Sequence, residues 1–324
     1  MSNCFYSRPV PVLARGGEVV VLLAGKPRDL SYEENLRGLE KAVTDSGERF
    51  AFSARQRENR RGSYLAISTG VSIGSGSMVR GLKSASGFLE LTGVCKKVPG
   101  GLKLGSRENE KIVEGLLEEK GMRRIVGFVK RKYFIETNQT TVKLTHSSGS
   151  TEVFAPELCK FVTDTLEEVK RSKPSLRYPY RDNPFAAVTF NIGPKVCTVP
   201  HKDVVNLSWG WCAVTSLGCY DPKKGGHLVL WDLKLAVEFP PFSTIMLPSA
   251  IMKHSNTSIG PTERRSSVTQ YNASGLFCWV AHGNSLKAGR KKSGQAWWDR
   301  PKHMFSRISG GSGKGIHISS FSFY

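Results

Sequence analysis

The feature that most restricts the fold is a set of polar residues that must be gathered from distant points: His201-Lys202-Asp203, then His254, then Arg264-Arg265-Ser266-Ser267. In an extended strand the side chains at i and i+2 project from the same face. His201 and Asp203 can therefore address one ion from a single short segment. Two imidazoles and one carboxylate suit Fe(II), and three protein ligands on one side of the metal leave the other side open. The basic run after His254 meets the next requirement. 2-Oxoglutarate held on such a metal leaves its far carboxylate in need of a charged, forked donor, and O₂ needs the remaining open position. Arginine supplies the fork, and a hydroxyl two residues further on shares its strand face. Alternation alone leaves two registers open, Arg264 with Ser266 and Arg265 with Ser267. A lone His-x-Asp is a common surface pair, so the inference rests on the ordered set.

The charge balance points to the partner. The chain has 324 residues, 39% of them apolar, and carries a net charge of +20 with a pI near 9.8. That size allows one large domain or two smaller ones. So basic a chain suits a phosphate-rich ligand, nucleic acid first, with a solvated basic face as the bland alternative. No strongly amphipathic basic helix argues for an anionic membrane. Seven scattered cysteines form no Cys-x-x-Cys pair, so structural zinc is unsupported and free thiols in an intracellular protein are expected. Met1 to Ala14 has no apolar signal-peptide core, and Val19 to Ala24 is too short to span a membrane. A cytosolic or nuclear location is expected, and nuclear if the ligand is DNA.

Taken in order, the chain begins with Pro and Gly punctuation and one strand candidate at Glu18 to Leu23. Ser31-x-x-Glu34 predicts a capping box, with Leu36, Leu39 and Val43 along the buried stripe of the helix. Arg55, Arg57, Arg60 and Arg61 form a basic cluster open to three readings: a phosphate-contacting patch, a nuclear address or a solvated turn. Ser72 to Ser77 reads as a flexible Gly/Ser loop. Glu108 to Lys120 predicts a helix closed by Gly121. From Arg123 to Phe134, Lys130, Arg131 and Lys132 stand among aromatics, which suits either a nucleic-acid surface or a half-buried strand. Pro156 opens another helix. From Pro184 short apolar runs separated by Pro and Gly predict strands at Phe185–Ile192, Trp209–Tyr220, His227–Leu230, Ser243–Leu247, Ser267–Tyr271 and Leu276–Ala281.

That pattern predicts an α+β protein: a double-stranded β-helix, or jelly roll, flanked by helices from the N-terminal region. The expected divisions are a basic N-terminal region at 1–154, the β-helix core with its leading helix at 155–283, and a basic Gly/Ser-rich tail at 284–324.

Residues 183 to 283 also resemble fungal members of the TET/JBP group of Fe(II)/2-oxoglutarate nucleobase dioxygenases. The resemblance lies in Thr189-Phe190-Asn191-Ile192-Gly193-Pro194, in His201-x-Asp203-x-x-Asn206, and in Asp221-Pro222-Lys223-Lys224-Gly225-Gly226-His227-Leu228. It continues in Leu230-Trp231-Asp232-Leu233, Glu238-Phe239-Pro240-Pro241, His254-Ser255-Asn256 and Gln270-Tyr271-x-Ala273-x-Gly275-Leu276-Phe277. Phe242 departs from the pattern, standing where a glycine usually follows the Phe-Pro-Pro turn. The resemblance implies iron ligands at His201, Asp203 and His254, a 2-oxoglutarate clamp at Arg265 and Ser267 with Arg264 as the alternate, and a co-substrate pocket lined by Asn191 and Asn206. It implies methylated DNA as partner, with the target base flipped out of the duplex. Hydroxylation of protein or RNA, or DNA binding without catalysis, are the other classes this sequence could serve.

Overall fold

The computed structural model describes residues 9–15, 17–52, 59–73, 98–133, 155–285 and 316–317. Its elements begin with β1 (Val10–Leu13), β2 (Val19–Gly25), α1 (Leu30–Arg49), β3 (Leu65–Ile73) and β4 (Pro99–Gly101). Three helices follow, α2 (Arg107–Glu118), α3 (Lys120–Tyr133) and α4 (Pro156–Ser172). The second half contains β5 (Ala187–Ile192), β6 (Cys212–Cys219), β7 (Leu228–Leu230), β8 (Leu235–Val237), β9 (Thr244–Leu247), β10 (His254–Asn256), β11 (Arg264–Tyr271), α5 (Ser274–Ala281) and β12 (Ile316–His317).

The larger sheet runs β12-β1-β2-β9-β6-β11-β5-β3-β4 and the smaller one β10-β7-β8. A single antiparallel bridge between His201 and His254 adds the chain at 201 to the free side of β10. From β5 onward the chain alternates between the sheets. It passes through β5, crosses to His201, returns to β6, crosses to β7 and β8, returns to β9, crosses to β10 and closes with β11. This is the winding of a double-stranded β-helix, and it brings residues far apart in sequence to one end of the roll.

The larger sheet draws strands from both sides of residue 154: β3 pairs with β5, and β2 with β9. β12, beyond residue 284, pairs in parallel with β1. β2 is buried along its whole length, which explains its unbroken apolar run, Val19 to Ala24.

Two apolar layers hold the sheets. On one face of the larger sheet, Tyr32, Leu36, Leu39 and Val43 of α1 share a cluster with Phe190, Leu217 and Val268. Each such fully buried side chain contributes about 1.5–3 kcal/mol. Between the two sheets, Leu23, Cys212, Ile245 and Leu247 meet Leu228, Leu230 and Val237. No described helix is long and apolar enough to cross a membrane. The described cysteines, Cys159, Cys197, Cys212, Cys219 and Cys278, are free.

The structure corrects several local expectations. Asp29, not Ser31, caps α1, and its side chain accepts from the Ser31 amide. Gly121 does not end α2, whose last residue is followed by Glu119. It lies in the first turn of α3, where a Cβ would sit 2.4 Å from the Asn35 carbonyl, so it lets α3 press against α1. Arg123–Tyr133 is helical rather than a strand, with Met122, Ile125 and Val129 buried on one face. Leu276–Ala281 belongs to α5, not to a strand. Phe242 has φ 68°, the conformation that favours glycine. A non-glycine residue there costs roughly 1–2 kcal/mol. Burial of its ring beneath the Arg37 guanidinium, 5.4 Å from the centroid, opposes that cost.

Candidate metal centre

The bridge between His201 and His254 sets their rings 4.3 Å apart, centroid to centroid. Each ring is fixed from behind in the same way. His201 Nδ1 lies 2.7 Å from the Val199 carbonyl, and His254 Nδ1 lies 2.8 Å from the Met252 carbonyl. A carbonyl can only accept, so Nδ1 carries a proton in both rings and Nε2 is the nitrogen turned toward the ligand side. Burial, and then the neighbouring His254, push the His201 imidazole down to about 4, so it is neutral at physiological pH. A neutral imidazole with its second nitrogen tied to backbone is the form that ligates metal.

Asp203 is not on a strand. A turn places it, with the Asp203 amide donating to the Ser249 carbonyl at 2.9 Å and its own carbonyl accepting from Asn206. Its carboxylate faces both rings, with Oδ1 3.8 Å from His201 Nε2 and Oδ2 3.9 Å from His254 Nε2. One ligand atom from each of the three residues lies within 4.8 Å of the others. Among the described residues these side chains form a site that could hold a metal ion. Two imidazoles and a carboxylate fit Fe(II), with half of the coordination sphere left for other ligands.

The strand registers of β11 decide between the two arginines. Arg264 points outward, its Nε 3.3 Å from Glu40 of α1. Arg265 is 1% exposed and points inward, donating from Nη1 to the Val196 carbonyl at 2.8 Å, with its guanidinium 5.7 Å from the Phe239 ring centroid and beside the Tyr220 hydroxyl. Its Nε has no partner, and no described carboxylate lies within ion-pair distance. Ser267 follows on the same face and accepts from Asn191 Nδ2 at 3.0 Å, leaving Asn191 Oδ1 unpartnered. Asn206 lies elsewhere. Its Nδ2 donates to Ser249 Oγ, so it braces the turn that carries Asp203.

The basic residues singled out in the sequence separate. Arg60 reaches the Lys202 carbonyl at 3.4 Å, and Arg61 Nη1 lies 3.6 Å from Asp203 Oδ1, so both lie at the metal centre. Lys130 and the exposed Arg131 lie on α3, on the far side of the larger sheet from the ligands. Lys132 is within α3, but its side chain falls outside the described residues, as do Arg55 and Arg57 entirely. One buried residue at the centre escaped sequence reasoning. Tyr64 is 5% exposed, and its hydroxyl has no partner among the described residues.

No protein-family profile and no curated protein matches the chain. Solved structures do. NgTET1 in complex with 5mC DNA is similar at 14% identity over 81% of this chain and 75% of that chain, with a TM-score of 0.37. A viral collagen prolyl hydroxylase from Paramecium Bursaria Chlorella virus-1, in its 2OG complex, is similar at 14% identity over 35% of this chain and 70% of that chain, TM-score 0.23. An oxidoreductase of the 2OG-Fe(II) oxygenase family from Burkholderia pseudomallei is similar at 15% identity over 56% and 64% of the two chains, TM-score 0.27. Likenesses this distant assign nothing to individual residues. The side chains of this site must carry that assignment themselves.

Proposed function

We propose that the chain is an Fe(II)/2-oxoglutarate-dependent dioxygenase that oxidises the methyl group of methylated bases in DNA. The observation that carries the co-substrate is Arg265. A guanidinium taken out of water costs several kcal/mol unless a partner anion compensates it. This one is held by a backbone carbonyl, an aromatic face and the neighbouring Tyr220 hydroxyl, with no counter-charge and its Nε unpartnered. A buried cation in that state suits a small anion that comes and goes. It shares the interior of the roll with a three-residue metal site, so a dicarboxylate spanning both fits. 2-Oxoglutarate carries a metal-chelating 2-oxo acid at one end and a carboxylate at the other.

In this assignment His201, Asp203 and His254 hold the iron, and Arg265 and Ser267 receive the distal carboxylate, with Asn191 aligning Ser267. When bound, the iron with 2-oxoglutarate and O₂ supplies an oxidant strong enough to hydroxylate a methyl C–H bond. The protein contributes geometry and a dry cavity, and needs no acid or base of its own in the chemical step.

DNA as substrate is supported by the net charge of +20 and by the resemblance of residues 183 to 283 to nucleobase dioxygenases. Arg60, Lys202 and Lys253 flank the metal ligands in sequence or contact, a cationic rim where phosphates would approach. The ligands are recessed: His201 and His254 are buried and the Asp203 side chain is 13% exposed. A methyl on a stacked base could not reach them, so the target base must flip out, at a cost of roughly a few kcal/mol. Hydroxylation of a methyl on cytosine carbon leaves a stable hydroxymethyl group. On adenine nitrogen it leaves a group that loses formaldehyde, which amounts to demethylation. A nuclear location belongs to the same proposal.

The test is nucleoside mass spectrometry after incubation with Fe(II), 2-oxoglutarate and DNA carrying 5-methylcytosine or N6-methyladenine, beside matched RNA and a peptide pool. Oxidised or demethylated DNA nucleosides are expected. Product only from RNA or peptide would refute DNA as substrate. Absence of succinate from every mixture would refute the enzyme.

A further inference from the structure

The turn that precedes β3 is built to reach into this site. Asn59 organises it: the Asn59 side chain accepts from the Arg61 amide at 2.9 Å and donates to the Tyr64 carbonyl at 2.7 Å. Gly62, at φ 151°, lets the turn lie flat on the segment before His201. A Cβ there would be 2.5 Å from the Cys197 carbonyl. The Arg61 carbonyl accepts from the Val199 amide at 2.9 Å. The segment so clamped carries both carbonyls that orient the site, Val196 behind Arg265 and Val199 behind His201.

Two side chains of the turn enter the centre. Arg61 meets Asp203. The Tyr64 phenol sits deeper, buried, with its hydroxyl unpartnered. Burial raises its pKa, opposed by the Arg61 and Arg265 guanidiniums and reinforced by Asp203 and Cys197. A buried hydroxyl costs about 1–3 kcal/mol when unsatisfied. Tyr64 lies against Gly193, two residues beyond Asn191 of β5, and Asn191 pairs with Ser267 of β11; Arg265 Nε and Asn191 Oδ1 are likewise buried without a partner.

We propose that Tyr64 is a specificity-determining residue of the co-substrate site, its hydroxyl donating a hydrogen bond to the same distal carboxylate that Arg265 receives. The inference rests on the 2-oxoglutarate reading and extends it to the N-terminal part of the chain. That region then supplies part of the reaction centre as well as strands to the sheet.

The experiment uses the full chain loaded with Fe(II) without oxygen, titrated calorimetrically with 2-oxoglutarate and with 2-oxobutyrate, which has the chelating head but no distal carboxylate. Tyr64→Phe keeps the ring and removes only the hydroxyl. Loss of a hydrogen bond to a charged group is expected to weaken 2-oxoglutarate about 10- to 100-fold. Binding of 2-oxobutyrate should not change. Without ligand, Tyr64→Phe should melt at the same temperature as the wild type or higher, because no satisfied bond is lost. Equal 2-oxoglutarate affinities in the two proteins would overturn the assignment of Tyr64 while leaving the oxygenase reading intact. So would an equal weakening of both ligands, or a lower melting temperature without ligand. Failure of the wild type to bind 2-oxoglutarate at all would overturn both.

Discussion

Replacing Arg265 with methionine separates a ligand-binding cation from a structural one. The Arg265 side chain is 1% exposed, donates one backbone bond of 2.8 Å and lies over the Phe239 ring and beside the Tyr220 hydroxyl, a neutral acceptor that adds about 0.5–1.5 kcal/mol. The bond from a charged donor contributes about 1.5–3 kcal/mol. The aromatic face adds roughly 0.5–2 kcal/mol. Against these stands a desolvation cost of several kcal/mol for an ion with no counter-charge. The terms nearly cancel, so Arg265→Met should change the stability of the ligand-free protein by no more than about 1 kcal/mol, or raise it. The effect belongs to the ligand. At a hundredfold excess over its Kd, 2-oxoglutarate should stabilise the Fe(II)-loaded wild type by about 2.7 kcal/mol, a rise in Tm of roughly 5 °C. In Arg265→Met that rise should vanish. Thermal unfolding of both proteins, without oxygen and with and without 2-oxoglutarate, measures all four quantities. A loss of about 3–5 kcal/mol in the ligand-free variant would mark a structural arginine and refute the reasoning. So would an undiminished response to 2-oxoglutarate.

The neighbouring arginine is the control, because Arg264 pairs outward with Glu40: Arg264→Ala should leave 2-oxoglutarate affinity within about twofold, and a loss as large as that of Arg265→Met would reverse the assigned register. Gly62→Ala should cost about 1–3 kcal/mol by urea unfolding and weaken Fe(II) binding, since the turn carrying Arg61 must lift away from Cys197; wild-type behaviour in both assays would show that the turn does not shape the site. Binding to duplex DNA should weaken linearly on a double-logarithmic plot against salt, and Arg60→Ala should reduce the slope by about 0.9 if Arg60 meets a phosphate. An unchanged slope would remove Arg60 from the interface.

The metal site was legible because its chemistry needs particular residue types in a fixed order, and few other functions leave His-x-Asp, a distant His and an Arg-x-Ser in that sequence. The route differed from the expectation. Strand alternation was to bring His201 and Asp203 together, yet only His201 makes a bridge and a turn delivers Asp203. The choice between Arg264 and Arg265 needed a neighbour on each face, and Glu40 and Val196 supply it only once the sheet is assembled. Short apolar runs defeated local reading. Leu276–Ala281 is apolar all round and bears no period, and its burial in α5 among other helices makes either period acceptable. In α3 the spacing of Met122, Ile125 and Val129 is helical, but cations interrupt the apolar stripe and mask its period. Tyr64 left no local signal. Its role depends on the Asn59 turn docking on a segment more than a hundred residues away, which pairing statistics along the chain do not reveal.

The most direct test of the whole account is an oxygen-free titration of the full chain with Fe(II), followed by 2-oxoglutarate. It should show one Fe(II) per chain, then one 2-oxoglutarate that binds tightly only once the metal is present. His201→Ala, Asp203→Ala and His254→Ala should each lose the metal step while retaining the wild-type melting profile of the metal-free protein. Stoichiometric Fe(II) binding in all three variants, or 2-oxoglutarate binding that ignores the metal, would contradict it.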